Sequence, residues 1–336
     1  MVDFTNLERI CLPEITSALG NPLPAISLSV LVAGSGPTIV LAHGFPELAF
    51  SWRHQAENLI AAGYTVIIPD QRGYGDSDAP ENVEDYSLEY LTADLVRLLD
   101  YFNIEKATFV GHDWGGVVTW AMPVIYPERT QAVVGVNMPY TPAIGLDILR
   151  RLFKKEEDLY MLWFQQRDIP EQVMDPYVEK LFNVMMRRPG SFNKSKAVKE
   201  KTVKPMLTGG GKANPFINIK EVSDPGLGFL TQAETDFYVA GFRDNGFRGP
   251  INWYRNIDRN SKEFESVGRE KLTLPCLMVT AQLDAALPPA MAAAMPSMCS
   301  DLEMHNIEDC GHWTQAEKPE QLNKLLIEWF AKKVKP

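Results

Sequence analysis

The chain has 336 residues, 45% of them hydrophobic, and carries 33 basic against 43 acidic side chains for a net charge of −10. That supplies a large core, in one big domain or two. The acidic balance excludes a general nucleic-acid or anionic-membrane binder, since both reward clustered Lys and Arg.

Cys11, Cys276, Cys299 and Cys310 show no CxxC spacing and read as reduced thiols, which points to a cytoplasmic protein. The first residues lack a basic segment followed by a long apolar one, so no signal peptide is expected. The longest uncharged stretch, around Gln131 to Leu146, is interrupted by Pro139 and Pro142, and no membrane span is expected there.

In chain order, the first strand-like run is Thr38 to Ala42, ending at His43-Gly44. Tyr64 to Pro69 follows, ending at Asp70, and then a helical stripe of Leu88, Leu91, Leu95, Leu98, Leu99 and Phe102 with Ser87 as its N-cap. Further strands are predicted over Ala107 to Val110, Ala132 to Val136 and Cys276 to Thr280. Their Val/Ile-rich, non-alternating composition suits strands buried on both faces of a mainly parallel sheet. The last helix places Leu322, Leu325, Leu326, Trp329 and Phe330 on one face and ends in Lys332 and Lys333, near its negative dipole end. Strands alternating with helices imply an α/β fold.

That rhythm breaks between about Tyr140 and Gly268, a stretch rich in Met, aromatics and helix formers. It reads as a helical insertion over 140–268, with the α/β core formed by 1–139 and 269–336. Within it, the Lys-rich run from Lys194 to Lys204 reads as a solvated helix face in an acidic chain. Gly209-Gly210-Gly211 reads as a flexible turn, because it neither follows a strand nor has the GxxxxGK[ST] spacing of a phosphate loop. No internal repeat is visible.

Chemistry concentrates at Gly111-His112-Asp113-Trp114-Gly115-Gly116. A polar residue flanked by small ones, between a strand and a helix, is the layout of a nucleophile elbow. An aspartate there can displace a leaving group from saturated carbon and form an ester on the enzyme. Hydrolysing that ester needs an oxyanion site, a base for water and an acid to hold the base. His43-Gly44-Phe45-Pro46 ends a strand, so the backbone N–H of Phe45 and that of Trp114 can form an oxyanion hole. Asp284 follows the Cys276–Thr280 strand and His312 sits in Asp309-Cys310-Gly311-His312-Trp313. The order is nucleophile, acid, histidine, with Asp309 and Asp301 as the competing acids. The five histidines (His43, His54, His112, His305, His312) show no HExxH or other metal-ligand spacing, so no metal site is expected. His112 should point away from the pocket, and His43 should order its turn.

Five segments now carry a resemblance: HGFPELAFSWRHQ at 43–55, DQRGYGDSD at 70–78, GHDWGG at 111–116, FRGPINWYRN at 247–256 and EDCGHWTQ at 308–315. Over nearly the whole chain it resembles soluble epoxide hydrolases of the α/β-hydrolase fold. It is similar to the hydrolase domain of the mammalian enzymes, which also carry an N-terminal phosphatase domain. Only 42 residues precede His43, so that domain is expected to be absent.

The resemblance implies a lid insertion, no cofactor, an epoxide and water as partners, and a monomer or homodimer. It also implies two lid tyrosines that donate hydrogen bonds to the epoxide oxygen. Tyr254, in Asn252-Trp253-Tyr254-Arg255, matches one, and Tyr160, by its spacing to Phe164-Gln165, matches the other. Family members often continue with Glu-Pro-Gly where this chain has Gln166-Arg167-Asp168, so the lid entrance is expected to differ. Tyr140 and Tyr177 are the spare candidates. Ring opening at neutral pH needs such acids, because the leaving alkoxide is strongly basic.

GHDWGG is shared with haloalkane dehalogenases, which leaves that reading open, with Trp114 and Trp163 as halide donors. Fluoroacetate dehalogenases carry Arg where Trp114 stands. A catalytically silent binding protein on the same fold predicts gaps in the catalytic set, and none is seen. Lid residues Trp163, Phe164, Met185, Met186 and Phe192 fit either an apolar, roomy pocket or ordinary core packing.

Overall fold

The computed structural model describes residues 2–190 and 214–334. The Lys194–Lys204 run, the glycine triplet at 209–211 and Phe192 lie outside these residues.

The strands are β1 (Glu8–Leu12), β2 (Ile15–Thr16), β3 (Pro22–Leu23), β4 (Ile26–Gly34), β5 (Thr38–Ala42), β6 (Thr65–Asp70), β7 (Ala107–His112), β8 (Thr130–Val136), β9 (Leu272–Ala281) and β10 (Cys299–Ile307). Among the described residues eight of them form one sheet in the order β1-β4-β6-β5-β7-β8-β9-β10. β4 pairs antiparallel with both β1 and β6, and every later pairing is parallel. The predicted α/β fold with a mainly parallel sheet is therefore found, with an antiparallel edge in addition.

The central strands are apolar without alternation because both of their faces are covered. Val40, Ile67, Phe109 and Val133 point into one core with Leu91, Leu95 and Trp120. Their neighbours Ile39, Leu41, Val66, Ile68, Val110 and Val134 point into the other, with Leu59, Leu326 and Phe330. The period of two thus sends successive residues into two separate layers of helices. These helices are α1 (Arg53–Ala61), α2 (Leu88–Tyr101), α3 (Trp114–Ile125) and, at the C-terminus, α13 (Pro319–Lys333). On α13 the predicted face is found: Leu322, Leu326, Trp329 and Phe330 are buried, and Lys333 pairs with Asp301 at 2.6 Å.

One capping expectation is corrected. Ser87 occupies the N-cap of α2, but its side chain takes no bond from the first turn. The Leu88 N–H instead donates to Asn260 Oδ1 at 2.9 Å. A buried helix start needs a partner for such an N–H, and here a distant residue supplies it.

Between β8 and β9 the described residues form helices and no strand: α4 (Leu146–Leu152), α5 (Tyr160–Trp163), α6 (Ile169–Met174), α7 (Val178–Met185), α8 (Gln232–Gly241), α9 (Arg248–Arg255) and α10 (Ile257–Glu263). Short helices α11 (Met295–Met298) and α12 (Thr314–Glu317) flank β10.

The α9 segment fastens this excursion to the sheet. Trp253 Nε1 donates to the Arg72 carbonyl at 3.1 Å, and Asn256 Nδ2 to that of Val83 at 2.6 Å. Gly249 lies so close to Gly73 that a Cβ on it would sit 2.7 Å from the Gly73 Cα. Arg255 then ties α9 to α5 and α6, donating to the carbonyls of Phe164 (2.9 Å) and Gln166 (2.6 Å) and pairing with Glu171 at 2.6 Å. Asp168, in the divergent Gln166–Asp168 stretch, takes a left-handed backbone (φ +65°) at the start of α6.

Candidate active site

Asp113 stands between β7 and α3 with φ +50° and ψ −120°. A non-glycine residue pays of order 1–3 kcal/mol for such a backbone, which persists only where its surroundings enforce it. Here the elbow is compressed from both sides. A Cβ on Gly111 would lie 2.2 Å from the Gly115 carbonyl oxygen, and one on Gly115 would lie 2.1 Å from that of Ala42. Small residues flank Asp113 because β5, β7 and α3 meet with no room for side chains.

The loop after β5 supplies the first partner. The Phe45 N–H donates to Asp113 Oδ1 at 3.0 Å. His43 orders this loop as expected: its Nε2 accepts the Gln71 N–H at 3.0 Å, and its Nδ1 sits 3.0 Å from the Gly44 carbonyl oxygen. Burial holds the His43 pKa down at about 4, so the ring stays neutral. Trp114 begins α3, so its N–H has no helical carbonyl to reach and stands beside Asp113 at a positive helix end.

His312 follows β10. Its Nε2 lies 3.7 Å from Asp113 Oδ2, and its Nδ1 lies 2.9 Å from Asp284 Oδ2. Asp284 follows β9 and is held on every side. Asn137 Nδ2 donates to Oδ2 at 2.7 Å, and the N–H groups of Ala286 and Leu287 donate to Oδ1 at 2.8 and 3.0 Å. Burial resists the Asp284 charge, but the His312 ring and these donors outweigh it and push the pKa well below the usual carboxylate range. Burial likewise resists an imidazolium at His312. The Asp284 charge and hydrogen bond, with Asp113 and Glu47 behind them, raise its pKa to about 9.

Behind the site lies a cluster that the motifs did not single out. Glu47 is buried and accepts from the Gly44 N–H at 2.9 Å and from Gln315 Nε2 at 2.5 Å. It also lies 2.7 Å from His112 Nδ1, while His112 Nε2 lies 2.8 Å from the His312 carbonyl oxygen. His112 thus points away from the cavity, as expected, and links the loop of Phe45 to that of His312. Glu47 stood inside a recognised segment, but nothing in its spacing shows that it is buried. Asn137 gave one weak signal, its place directly after a strand.

Tyr160 opens α5 and Tyr254 lies near the end of α9. Both are buried, with ring centroids 5.4 Å apart, and both border the same cavity as Asp113. Burial raises both hydroxyl pKa values far above 10, and the Asp113 charge adds to this, so both remain donors. The cavity measures about 220 Å³, and its other walls are mostly apolar, including Trp120, Met138, Leu149 and Val267, with Thr141 and Asn260 as polar exceptions.

Other candidates lie elsewhere. Asp309 pairs with Lys318 and Asp301 with Lys333. The Tyr140 hydroxyl donates to the Glu270 carbonyl at 2.9 Å, and Tyr177 lies under the Lys180 ammonium. His305 pairs with Glu303, and His54 sits on α1. Trp163, Phe164, Met185 and Met186 do not border the cavity but pack in the core, so the pocket's apolar walls come from other residues. Among the described residues no cluster of His, Cys, Asp or Glu is arranged to hold a metal, and no helix is long and apolar enough to cross a membrane.

An aspartate elbow at the C-terminal edge of a mainly parallel sheet, with its acid and histidine on later strand ends, defines a hydrolase class. The chain belongs to the alpha/beta hydrolase fold family, whose pattern matches residues 37–319. Its relatives there include proteins named as epoxide hydrolases. It is 39% identical over 310 residues to the bifunctional epoxide hydrolase 2 of Sus scrofa, covering 91% of this chain and 54% of that protein. The chain thus spans about half the length of the mammalian relatives it matches. It is 36% identical to epoxide hydrolase A of Mycobacterium tuberculosis, covering 91% of this chain and 94% of that one. The crystal structure of epoxide hydrolase A from Mycobacterium thermoresistibile superposes with a TM-score of 0.81 at 34% identity, covering 97% of this chain and 98% of that one.

Proposed function

We propose that the chain hydrolyses epoxides to vicinal diols through an ester on Asp113. One observation carries this reading: a carboxylate and two tyrosine hydroxyls face a single apolar cavity, with the His312–Asp284 pair against that carboxylate. In this reading residues 140–268 act as a lid over a core of 1–139 and 269–336. The free cysteines favour a reducing, cytoplasmic setting, and the chain works as a monomer or homodimer.

In the first step an Asp113 oxygen attacks an epoxide carbon. The ring C–O bond breaks, and the departing oxygen takes a proton from Tyr160 or Tyr254 while the other tyrosine donates a hydrogen bond. The product is a hydroxyalkyl ester on Asp113.

The second step exploits a change of charge. Forming the ester removes the Asp113 negative charge, which is one of the charges that hold the His312 pKa near 9. The imidazole is thereby more readily neutral when a base is needed. It takes a proton from water, and the hydroxide adds to the ester carbonyl carbon. The N–H groups of Phe45 and Trp114 hold the resulting oxyanion. Collapse breaks the ester C–O bond, the diol leaves with a proton returned by His312, and the proton left on the Asp113 carboxyl group restores the tyrosine deprotonated in the first step.

A halide-releasing reading needs a second N–H donor besides Trp114. Trp163 does not border the cavity, so nothing at the site favours that reading. Rapid-quench mass spectrometry of His312→Gln with styrene oxide tests the proposal. The expected result is an Asp113 peptide heavier by the mass of the substrate. A variant that binds styrene oxide and yields no such peptide excludes the covalent route.

A further inference from the structure

Among the described residues, the cavity beside Asp113 is walled by side chains on one side of the tyrosine pair. Asp113, Tyr160 and Tyr254 all border it. Its walls include Trp114, Met138 and Val267 and also Ile144, which is 48% exposed. On the far side of the tyrosine pair the space is already filled. Phe45 packs on Tyr254 with centroids 5.2 Å apart and on Phe164 and Phe216 at 5.7 and 6.0 Å. Phe164 touches Tyr254 at 5.0 Å and Tyr160 at 5.4 Å, and Phe216 touches Tyr160 at 5.7 Å. Phe45, Phe164 and Phe216 are at most 4% exposed, and none of them borders the cavity. The tyrosines therefore form a partition, with open space on one side and close-packed rings on the other.

The size and chemistry of the open side define what it can take. About 220 Å³ is roughly half again the ~150 Å³ that admits benzene. It accommodates one substituent of several carbons. Among the described residues no Lys, Arg or His borders it, so no cation is present to pair with a buried carboxylate.

We infer that the site takes terminal epoxides bearing one neutral apolar arm and discriminates against internal epoxides with arms on both carbons. The inference rests on the epoxide reading and extends it to substrate shape. The arm lies along the walls from Trp114 to Ile144, and the unsubstituted carbon faces the Phe45–Phe164–Phe216 cluster.

The isomers 1,2-epoxyoctane and trans-4,5-epoxyoctane have the same formula and differ only in how carbon is distributed about the ring. The terminal isomer can bury a hexyl arm. The internal one can bury a single propyl and must force the other against packed rings. Losing three methylenes of burial predicts kcat/KM lower by roughly 50-fold for the internal isomer. Equal or faster turnover of the internal isomer overturns the inference.

Binding of the two diols, octane-1,2-diol and octane-4,5-diol, followed through Trp114 and Trp120 fluorescence at the cavity wall, separates shape from chemistry. Octane-1,2-diol is expected to bind tighter by up to the same roughly 50-fold, since the same three methylenes are at stake. That result in a chain that opens neither epoxide defeats the epoxide reading while upholding the one-armed pocket, and equal affinities overturn the pocket shape. Phe216→Ala is expected to raise the relative rate of the internal isomer, and an unchanged ratio in the folded variant counts against the partition. If that variant does not fold, the isomer ratio of the unaltered chain decides alone.

Discussion

The two sides of the reactive centre are built by different means. On the sheet side, Asp113, Asp284 and His312 sit at the ends of β7, β9 and β10 and are gripped by backbone N–H groups, Asn137 and the Glu47–His112 pair. On the excursion side, Tyr160 and Tyr254 ride on short helices of four and eight residues, joined to each other and to the sheet by side-chain staples from the α9 segment. Asp113 and His312 are thus held by the ends of the sheet strands and the loops that follow them. Tyr160 and Tyr254 are held by the ties that Arg255, Trp253 and Gly249 make to their helices and by the rings packed on them. Rate effects on the sheet side should therefore be chemical, and those on the excursion side should combine chemistry with placement.

The largest effect is expected at the base. His312→Gln should lower steady-state kcat by about 10⁴-fold while leaving ester formation fast enough to see as a burst of one Asp113 adduct per chain. A matching loss in both phases would blur the contrast between the two sides.

Removing both acids comes next. Tyr160→Phe with Tyr254→Phe should slow ester formation by about 10³-fold, and each single change by roughly 10- to 100-fold. Stopped-flow tryptophan fluorescence resolves that phase. A double variant no slower than either single would mean that only one hydroxyl acts.

Arg255→Met tests placement without touching a reacting group. It strands the buried Glu171 carboxylate, which should cost roughly 3 kcal/mol of stability in urea unfolding. In the folded fraction it should slow ester formation more than ester hydrolysis. The reverse order would move Arg255 to the sheet side of the comparison.

The smallest expected effect is electrostatic. The resting His312 pKa of about 9 depends in part on the Asp113 and Glu47 charges. Removing either charge disfavours the imidazolium and should move the titration down. Followed by NMR of the labelled imidazole, the resting enzyme should hold His312 protonated up to about pH 9. Asp113→Asn and Glu47→Gln should each titrate below it. An unshifted midpoint in Asp113→Asn would remove the proposed link between ester formation and base strength.

How much of this was legible in the sequence follows the same division. The buried strands announced themselves because burial on both faces leaves an unbroken apolar run, as in β7 and β8. β1 and β4 at the antiparallel edge did not, since their burial is partial. The elbow was readable because close packing demands glycine at 111 and 115, and that demand is written in residue identity. Glu47 was not readable, and Asn137 only weakly, by its place after a strand: their roles come from which distant chain segment lies against them, and no local spacing encodes that. Ser87 failed as a cap for the same reason, because Asn260 arrives from 172 residues away to take the Leu88 N–H. Tyr160 and Tyr254 were singled out only through resemblance, since a buried tyrosine has no local signature. The pocket walls stayed open in the sequence because Trp163, Phe164 and Met186 look equally apolar whether they line a cavity or fill a core.

The most direct test of the central claim is a single turnover in ¹⁸O-water with enzyme in excess over epoxide. Attack by Asp113 puts an enzyme oxygen into the diol and leaves the water oxygen on the Asp113 carboxylate. The account predicts an unlabelled diol and an Asp113 peptide heavier by one ¹⁸O. A labelled diol with an unlabelled peptide would mean that water attacks the epoxide directly, contradicting the ester route.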